Sequence, residues 1–359
     1  MVWNIFCRVI DNFGDIGVCW RLSSELAARG ERVRLWVDDL SALDFMASDA
    51  PRDSIEVRPW KVPLVLSDVD VGDVLIEAFG CTVPDEFVTI FSIAVKDRCT
   101  KASGTFHAWI NLEYLSAELF ARKAHGLPSP VQNGPAAGLF KHFFYPGFTP
   151  DSGGLIREHD LLVRQARFDP AGWLAAQGIN TSGERRFSLF CYEPSAIGEL
   201  LVQLAGDATP TRLLVTAGRA QATVRARLGN ETRRGALTVS YLPLLSQTDF
   251  DHLLWASDMN FVRGEDSLVR ALWADKPFVW QIYPQHDGAH AAKLEAFLNW
   301  LGAPQSLRRF HRIWNGLESS PLPAPDFPAW HTATVAARER LLAQDDLVAR
   351  LMKFVGEKQ

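Results

Sequence analysis

The stretch WNIFCRVIDNFGDIGVCWRLSSELAARG, residues 3–30, decides the fold. Residues 3–10 are mostly apolar and read as a buried strand. A tight loop with Asp11, Asn12, Phe13, Gly14, Asp15 and Gly17 follows. An amphipathic helix, VCWRLSSELAAR (18–29), comes next and is closed by Gly30 at its C′ position. Strand, glycine loop and helix open a Rossmann-like unit, and in many such units the loop cradles phosphate at the helix N-terminus. Two carboxylates in that place repel an anion and favour a cation or a hydroxyl-bearing acceptor. Equally, Asp15 can N-cap the helix while Asp11 shapes the turn. Capping does not exclude catalysis, because a capping aspartate is held rigidly in its ionised form.

At 359 residues the chain suits two domains of ordinary size. An apolar share of 47% with 22% charged residues is globular, and 12 tryptophans and 22 phenylalanines supply large core side chains. The net charge of −5 gives no support for general nucleic-acid binding. Cys7, Cys19, Cys81, Cys99 and Cys191 are odd in number and scattered, with no C-x-x-C pair. That pattern argues against a disulfide framework and a thiolate zinc site, and it fits a reducing compartment. The opening MVWNIFCRVID lacks a basic n-region and reads as a first strand, not a signal peptide. No window approaches ~18 uninterrupted apolar residues. A cytoplasmic protein without membrane or nucleic-acid partners is expected.

Further strands are expected at RVRLWVDD (32–39), DVLIEAFG (73–80) and HAWINLEYL (107–115), with a short helix SALDFMA (41–47) N-capped by Ser41. Residues 124–154, rich in Pro and Gly, read as a long structured loop. After about residue 183 the β-α alternation is regular, from RRFSLFCYE (185–193) to GAHAAKLEAFLNWLG (288–302). A proline-rich connector, SSPLPAPDFPAW (319–330), and a final helix over roughly 332–355 close the chain. Repeated units of this kind mean parallel sheets covered by helices. The expected division is 1–155, 156–330 and a C-terminal helix within 331–359 packing back toward the first domain. Two doubly wound domains put a site between their strand C-terminal ends.

In the second domain, FVRGEDSLVRALW (261–273) ends a strand in Arg263-Gly264 and opens a helix with Glu265, Asp266 and Ser267. The first helical N–H groups with Arg263 make a serviceable diphosphate seat. The plainer alternative is that Asp266 or Ser267 only caps the helix, while Glu265 complements its dipole. Phe190 and Tyr192 fall on one face at the end of the domain's first strand, as base platform or as core. Gln247 and Phe250 lie on the first turn of a helix; Phe250 can stack on a nucleobase or begin the buried stripe. His286 and His290, four apart, could share a metal, but no other ligand cluster supports one, and polar loop residues are the better reading. There is no G-x-S-x-G elbow, no G-x-x-x-x-G-K-[ST] loop, and DNFGDIG is not G-x-G-x-x-G. ATP hydrolysis and simple dinucleotide binding lose ground accordingly.

Five motifs in order resemble one family: DNFGDIGV (11–18), WINLEYLSAE (109–118), PGFTPDSGGLIRE (146–158), RGEDS (263–267) and PFVWQIYPQHDGAH (277–290). The chain is similar, over essentially its whole length, to the bacterial protein-arginine rhamnosyltransferases of elongation factor P, which are GT-B glycosyltransferases. The resemblance implies GT-B architecture, two Rossmann-like doubly wound α/β domains facing across a cleft. It implies inverting transfer of rhamnose from dTDP-β-L-rhamnose to an arginine of elongation factor P, activating that factor for rescue of ribosomes stalled at polyproline. The factor would dock on the first domain and the nucleotide sugar in the second. Asp15 matches the family's general base, Asp11 its partner carboxylate and Glu265 its essential glutamate. Phe190, Tyr192, Gln247, Phe250, Arg263, Asp266 and Ser267 fall where the family binds the nucleotide sugar. Asn12, Phe13, Gly14 and Gly17 complete the acceptor loop.

A guanidinium is planar, delocalised and permanently charged, with a pKa above ~12, so two carboxylates beside it are the expected remedy. One holds the fork and the other accepts the proton. Neither a metal nor another cofactor is expected. Rival readings are a GT-B transferase for a glycan, lipid or small molecule, a non-catalytic nucleotide-sugar binder, and a nicotinamide dehydrogenase.

Overall fold

The computed structural model describes residues 1–10, 13–48, 54–66, 71–100, 107–180, 183–284 and 288–357, without the side chains of 98–100. The chain forms two compact units: Met1–His159 together with Gln344–Gln359, and Asp160–Ala343.

Among the described residues the first unit holds a seven-stranded sheet. Its strands are β1 (Val2–Cys7), β2 (Arg32–Val37), β3 (Ile55–Pro59), β4 (Val74–Ala78), β5 (Ala108–Leu112), β6 (Pro128–Pro130) and β7 (Phe140–Phe144). The order is β3-β2-β1-β4-β5-β7-β6. Strands β1 to β5 and β7 pair in parallel, and β6 runs antiparallel to β7 at the edge. The inner strands are apolar on both sides because both faces are covered. Trp3, Ile5 and Cys7 of β1 join Ile16, Cys19 and Trp20 of the helix Gly14–Ala28 on one face. Phe6, Leu75, Trp109, Phe87 and Phe91 fill the other. Buried polar groups are paired: Asn4 donates to Val71 O at 2.8 Å and accepts from Trp36 Nε1 at 3.0 Å. The helix Leu347–Gly356 packs Leu347, Val348, Leu351 and Val355 into the first face.

Three local expectations need correction. The 124–154 segment is not only loop, because β6 and β7 lie within it. Pro128 and Pro130 are tolerated there because β6 is an edge strand, where a missing N–H leaves no partner unpaired. Ser41 is not an N-cap: the helix is Leu43–Met46 with Ala42 before it, and the Ser41 N–H instead donates to Asp39 Oδ1 at 2.9 Å. The single final helix is two, Phe327–Leu342 in the second unit and Leu347–Gly356 in the first. Asp346 starts the latter by accepting the Ala349 N–H at 3.0 Å.

Among the described residues the second unit holds a six-stranded sheet. Its strands are β8 (Arg185–Leu189), β9 (Thr211–Val215), β10 (Arg233–Arg234), β11 (Leu237–Tyr241), β12 (Met259–Arg263) and β13 (Phe278–Gln281), in the order β10-β11-β9-β8-β12-β13. All pairs are parallel except β10 with β11. An Arg270–Asp251 pair, each 1% exposed and bonded at 2.8 and 2.6 Å, ties the helix Gln247–Ala256 to the helix Asp266–Trp273. Removing one member of such a pair costs about 3–5 kcal/mol, because the other charge stays buried.

Candidate active site

The first-unit loop leaves β1 at Cys7, and the Val9 N–H donates to Asp38 Oδ1, at the end of β2, at 2.9 Å. The helix Gly14–Ala28 has Phe13 at its N-cap, with no side-chain cap bond. Asp15 therefore does not cap the helix. It sits in the first turn, 5% exposed, and its Oδ2 reaches back to accept the Ile10 N–H at 3.0 Å. The Phe13 ring is anchored edge-on against Phe45 at 5.3 Å, and the Gly17 N–H closes the turn on Phe13 O at 3.0 Å. The carboxylate is held at both ends of the loop and lies beside the positive end of the helix. Asp11 and Asn12 lie outside the described residues.

In the second unit Arg263, 7% exposed, ends β12. Its guanidinium carbon lies 4.5 Å from the Phe190 ring centroid and 4.4 Å from that of Tyr192, so the planar cation sits against both aromatic faces. Phe190 also packs edge-on with Phe250 at 5.3 Å. The two rings, read from the sequence as base platform or as core, flank an arginine. Gly264, at φ 64°, turns the chain where a side chain would be strained. Its carbonyl accepts from Trp280 Nε1 at 2.6 Å.

The helix Asp266–Trp273 then begins, with Glu265 at its N-cap and no side-chain cap bond. Neither Asp266 nor Ser267 acts as the N-cap residue. Ser267 Oγ accepts the Arg263 N–H at 3.0 Å and donates to the Arg263 carbonyl, which locks the turn. Glu265 Oε1 bonds Lys293 Nζ at 2.5 Å, from the helix Ala289–Leu301. The Tyr192 N–H donates to Gln281 Oε1 at 2.8 Å, and Gln281 is buried at the end of β13. Gln247 begins the helix Gln247–Ala256, which Ser246 caps by accepting the Asp249 N–H at 3.1 Å. The structure therefore gathers Phe190, Tyr192, Phe250, Arg263, Glu265, Asp266 and Ser267 around the ends of β8 and β12.

Sequence reasoning gave no role to Lys293, Gln281 or Trp280. Gln281 and Trp280 lie inside a quoted motif, but nothing in their spacing points to Arg263 or Gly264. Lys293 is a solitary lysine 28 residues from its partner, a separation only the fold closes.

Cys7, Cys19, Cys81 and Cys191 are buried free thiols, and burial pushes Cys81 and Cys191 up to about 12, so neither is a ready nucleophile. Among the described residues no group of three or more His, Cys, Asp or Glu is placed to hold a metal ion. His290 lies in the first turn of the helix Ala289–Leu301, and His286 lies outside the described residues.

The model of the family described as elongation-factor P (EF-P) rhamnosyltransferase EarP matches residues 3–356. A protein-arginine rhamnosyltransferase of Pseudomonas aeruginosa is 41% identical over 392 aligned positions, covering 99% of both chains. One from Neisseria meningitidis is 36% identical over 312 positions, covering 82% of this chain and 77% of its own. Among solved structures, one describing EarP-mediated arginine glycosylation of translation elongation factor EF-P superposes with a TM-score of 0.67 at 30% identity, over 100% of this chain and 99% of the other. Acinetobacter baumannii MurG shares the fold alone, at a TM-score of 0.51 and 13% identity over 99% of each chain. The fold is that of the GT-B glycosyltransferases. The chain belongs to the EarP family of elongation-factor P rhamnosyltransferases.

Proposed function

We infer that this protein is a cytoplasmic, inverting glycosyltransferase that moves rhamnose from dTDP-β-L-rhamnose to an arginine side chain of EF-P. The observation that carries this is the family match across residues 3–356, on a chain whose first loop holds Asp15 rigidly beside a helix N-terminus.

In this reading the first unit receives EF-P and the second receives the nucleotide sugar. A guanidine nitrogen of the arginine attacks the anomeric carbon, and the bond to the diphosphate oxygen breaks as the C–N bond forms. The proton released from that nitrogen goes to Asp15, and dTDP leaves with the electron pair. Asp11 serves as the partner carboxylate that holds the guanidinium fork, with Asn12, Phe13, Gly14 and Gly17 shaping the loop. A single displacement inverts the anomeric configuration and needs no covalent enzyme intermediate.

On the donor side, charge grows on the diphosphate. The guanidinium of Arg263 and the backbone N–H groups that open the helix Asp266–Trp273 are suited to meet it. The Ser267 hydroxyl is engaged by the Arg263 backbone, so its contribution is to fix that turn. Phe190, Tyr192, Gln247 and Phe250 line the nucleoside side, and Glu265 holds a sugar hydroxyl.

The test is release of dTDP from dTDP-β-L-rhamnose when EF-P is supplied. Release that depends on EF-P and stops when its acceptor arginine is replaced supports the assignment; EF-P-independent release or none contradicts it. The scheme uses no metal, so turnover should survive EDTA. Activity lost on chelation and restored by one added cation would overturn that part.

A further inference from the structure

We infer that Asn111 and Glu113, at the carboxyl end of β5, bind a basic side chain of the acceptor protein other than the arginine that is modified. This rests on the reading above, in which the acceptor docks on the first unit.

The sheet places the pair at the right edge. Strands β1, β4 and β5 are parallel and in register, with Phe6 opposite Glu77 and Glu77 opposite Asn111. The chain therefore leaves β1 toward Asp15, and leaves β5 toward Glu113, at the same end of the sheet. Two strand spacings separate these exits, about 10 Å. The side chains of Asn111 and Glu113 share one face of the strand line with Trp109, opposite the face that the helix Gly14–Ala28 covers. Glu113 is thus a neighbour of the Asp15 loop along the edge, on the other face of the strand line, and is placed to meet a different group.

The chemistry of the pair calls for a cation. Asn111 is 8% exposed, and its Nδ2 donates to Glu113 Oε1 at 2.7 Å. Its Oδ1, at the other end of that amide, is buried and has no hydrogen-bond partner among the described residues. A buried acceptor in this state is unusual and marks a place for a donor. Glu113 itself is half-buried and fixed by its backbone N–H to Phe144 O at 2.9 Å.

The nearby carboxylate, Glu77, already has its cation: Lys141 Nζ bonds Oε1, while Trp109 Nε1 donates to Oε2 at 3.3 Å. Burial, with the Glu77 charge, holds the Glu113 carboxyl above its usual range, against the Asn111 bond and the more distant Lys141 charge. An incoming ammonium or guanidinium supplies both the missing positive charge and N–H donors.

The experiment is steady-state kinetics of full-length Glu113→Gln with EF-P and dTDP-β-L-rhamnose varied separately. The KM for EF-P should rise roughly tenfold or more, from loss of a charge-assisted pair. The kcat at saturating EF-P and the KM for the sugar donor should stay within about twofold of wild type. A purely structural role would lower kcat and thermal stability together and would not separate the two KM values. Glu113→Asp keeps the charge one methylene short and should give an intermediate KM; it stands in if the Gln variant does not fold. An unchanged KM for EF-P in a folded variant, or a loss confined to kcat, overturns the inference. Wild-type protein that fails to modify EF-P would overturn the functional reading beneath it, and that is measured first.

Discussion

Lys293 Nζ sits 2.5 Å from Oε1 of Glu265, across 28 residues of sequence, and so supplies a cation to the acidic residue at the start of the helix Asp266–Trp273. In the proposed donor site, Lys293 offsets part of the Glu265 charge beside the diphosphate. Lys293→Met should lower kcat/KM for dTDP-β-L-rhamnose by roughly 10- to 100-fold, the range of a hydrogen bond to a charged group. Steady-state kinetics check this, and a variant with wild-type kcat/KM would remove Lys293 from the site.

Asp15→Asn separates charge from geometry. An asparagine oxygen still accepts the Ile10 N–H that now bonds Asp15 Oδ2 at 3.0 Å, so the loop should keep its shape. What disappears is the proposed proton acceptor. Turnover should fall by about 10²- to 10⁴-fold, the usual worth of general-base catalysis, while calorimetric affinity for dTDP is unchanged. A wild-type rate would take the base role away from Asp15.

Arg263→Lys tests the aromatic clamp. The guanidinium lies 4.5 and 4.4 Å from the Phe190 and Tyr192 centroids, a contact that needs a flat, weakly hydrated cation. A lysine keeps the charge but neither the plane nor the fork. Affinity for dTDP should weaken roughly 10- to 100-fold in calorimetry. Undiminished affinity would mean that positive charge alone suffices.

His311 sets a pH dependence of stability. It is fully buried; its Nε2 accepts the Trp280 N–H at 3.0 Å, and the other ring nitrogen faces Leu307 O at 3.0 Å. Burial holds the imidazole neutral and lowers its pKa to about 4. In the unfolded chain a histidine titrates near ~6.5, so as pH falls below that value the unfolded state takes up a proton that the folded state refuses. The stability present above pH ~6.5 is therefore lost toward pH 4, by about 3 kcal/mol for this one group. His125, also lowered to about 4, chiefly by burial, acts in the same direction. Thermal unfolding between pH 7 and 4 should show a steeper fall for wild type than for His311→Gln. Parallel curves would exclude His311 as a source of the slope.

The inner strands could be read because their burial is written in the chain: VWNIFC of β1 and MNFVR of β12 are buried at every position. The β6–β7 edge could not, because a three-residue strand PSP carries turn residues and gains its partner only once Phe140–Phe144 lies beside it. The break between the last two helices was equally hidden. Gln344-Asp345-Asp346 continues a polar surface pattern, and Asp346 reveals itself as a cap only through the Ala349 N–H.

Around Arg263 the order strand, glycine, helix was legible, since local chain geometry produces it. The Glu265–Lys293 pair, the Ser267 lock and the Arg263 clamp depend on tertiary placement, and no spacing rule predicts them. Asp15 shows the intermediate case. Its position in the loop was legible, but its bond to Ile10, in place of a helix cap, was not.

The most direct test of the whole account is intact-mass measurement of EF-P after incubation with this protein and dTDP-β-L-rhamnose. The account predicts a gain of one deoxyhexose per EF-P, lost when the acceptor arginine is replaced by lysine and absent with Asp15→Asn. An unchanged EF-P mass, under conditions where the protein binds dTDP-β-L-rhamnose, would contradict it.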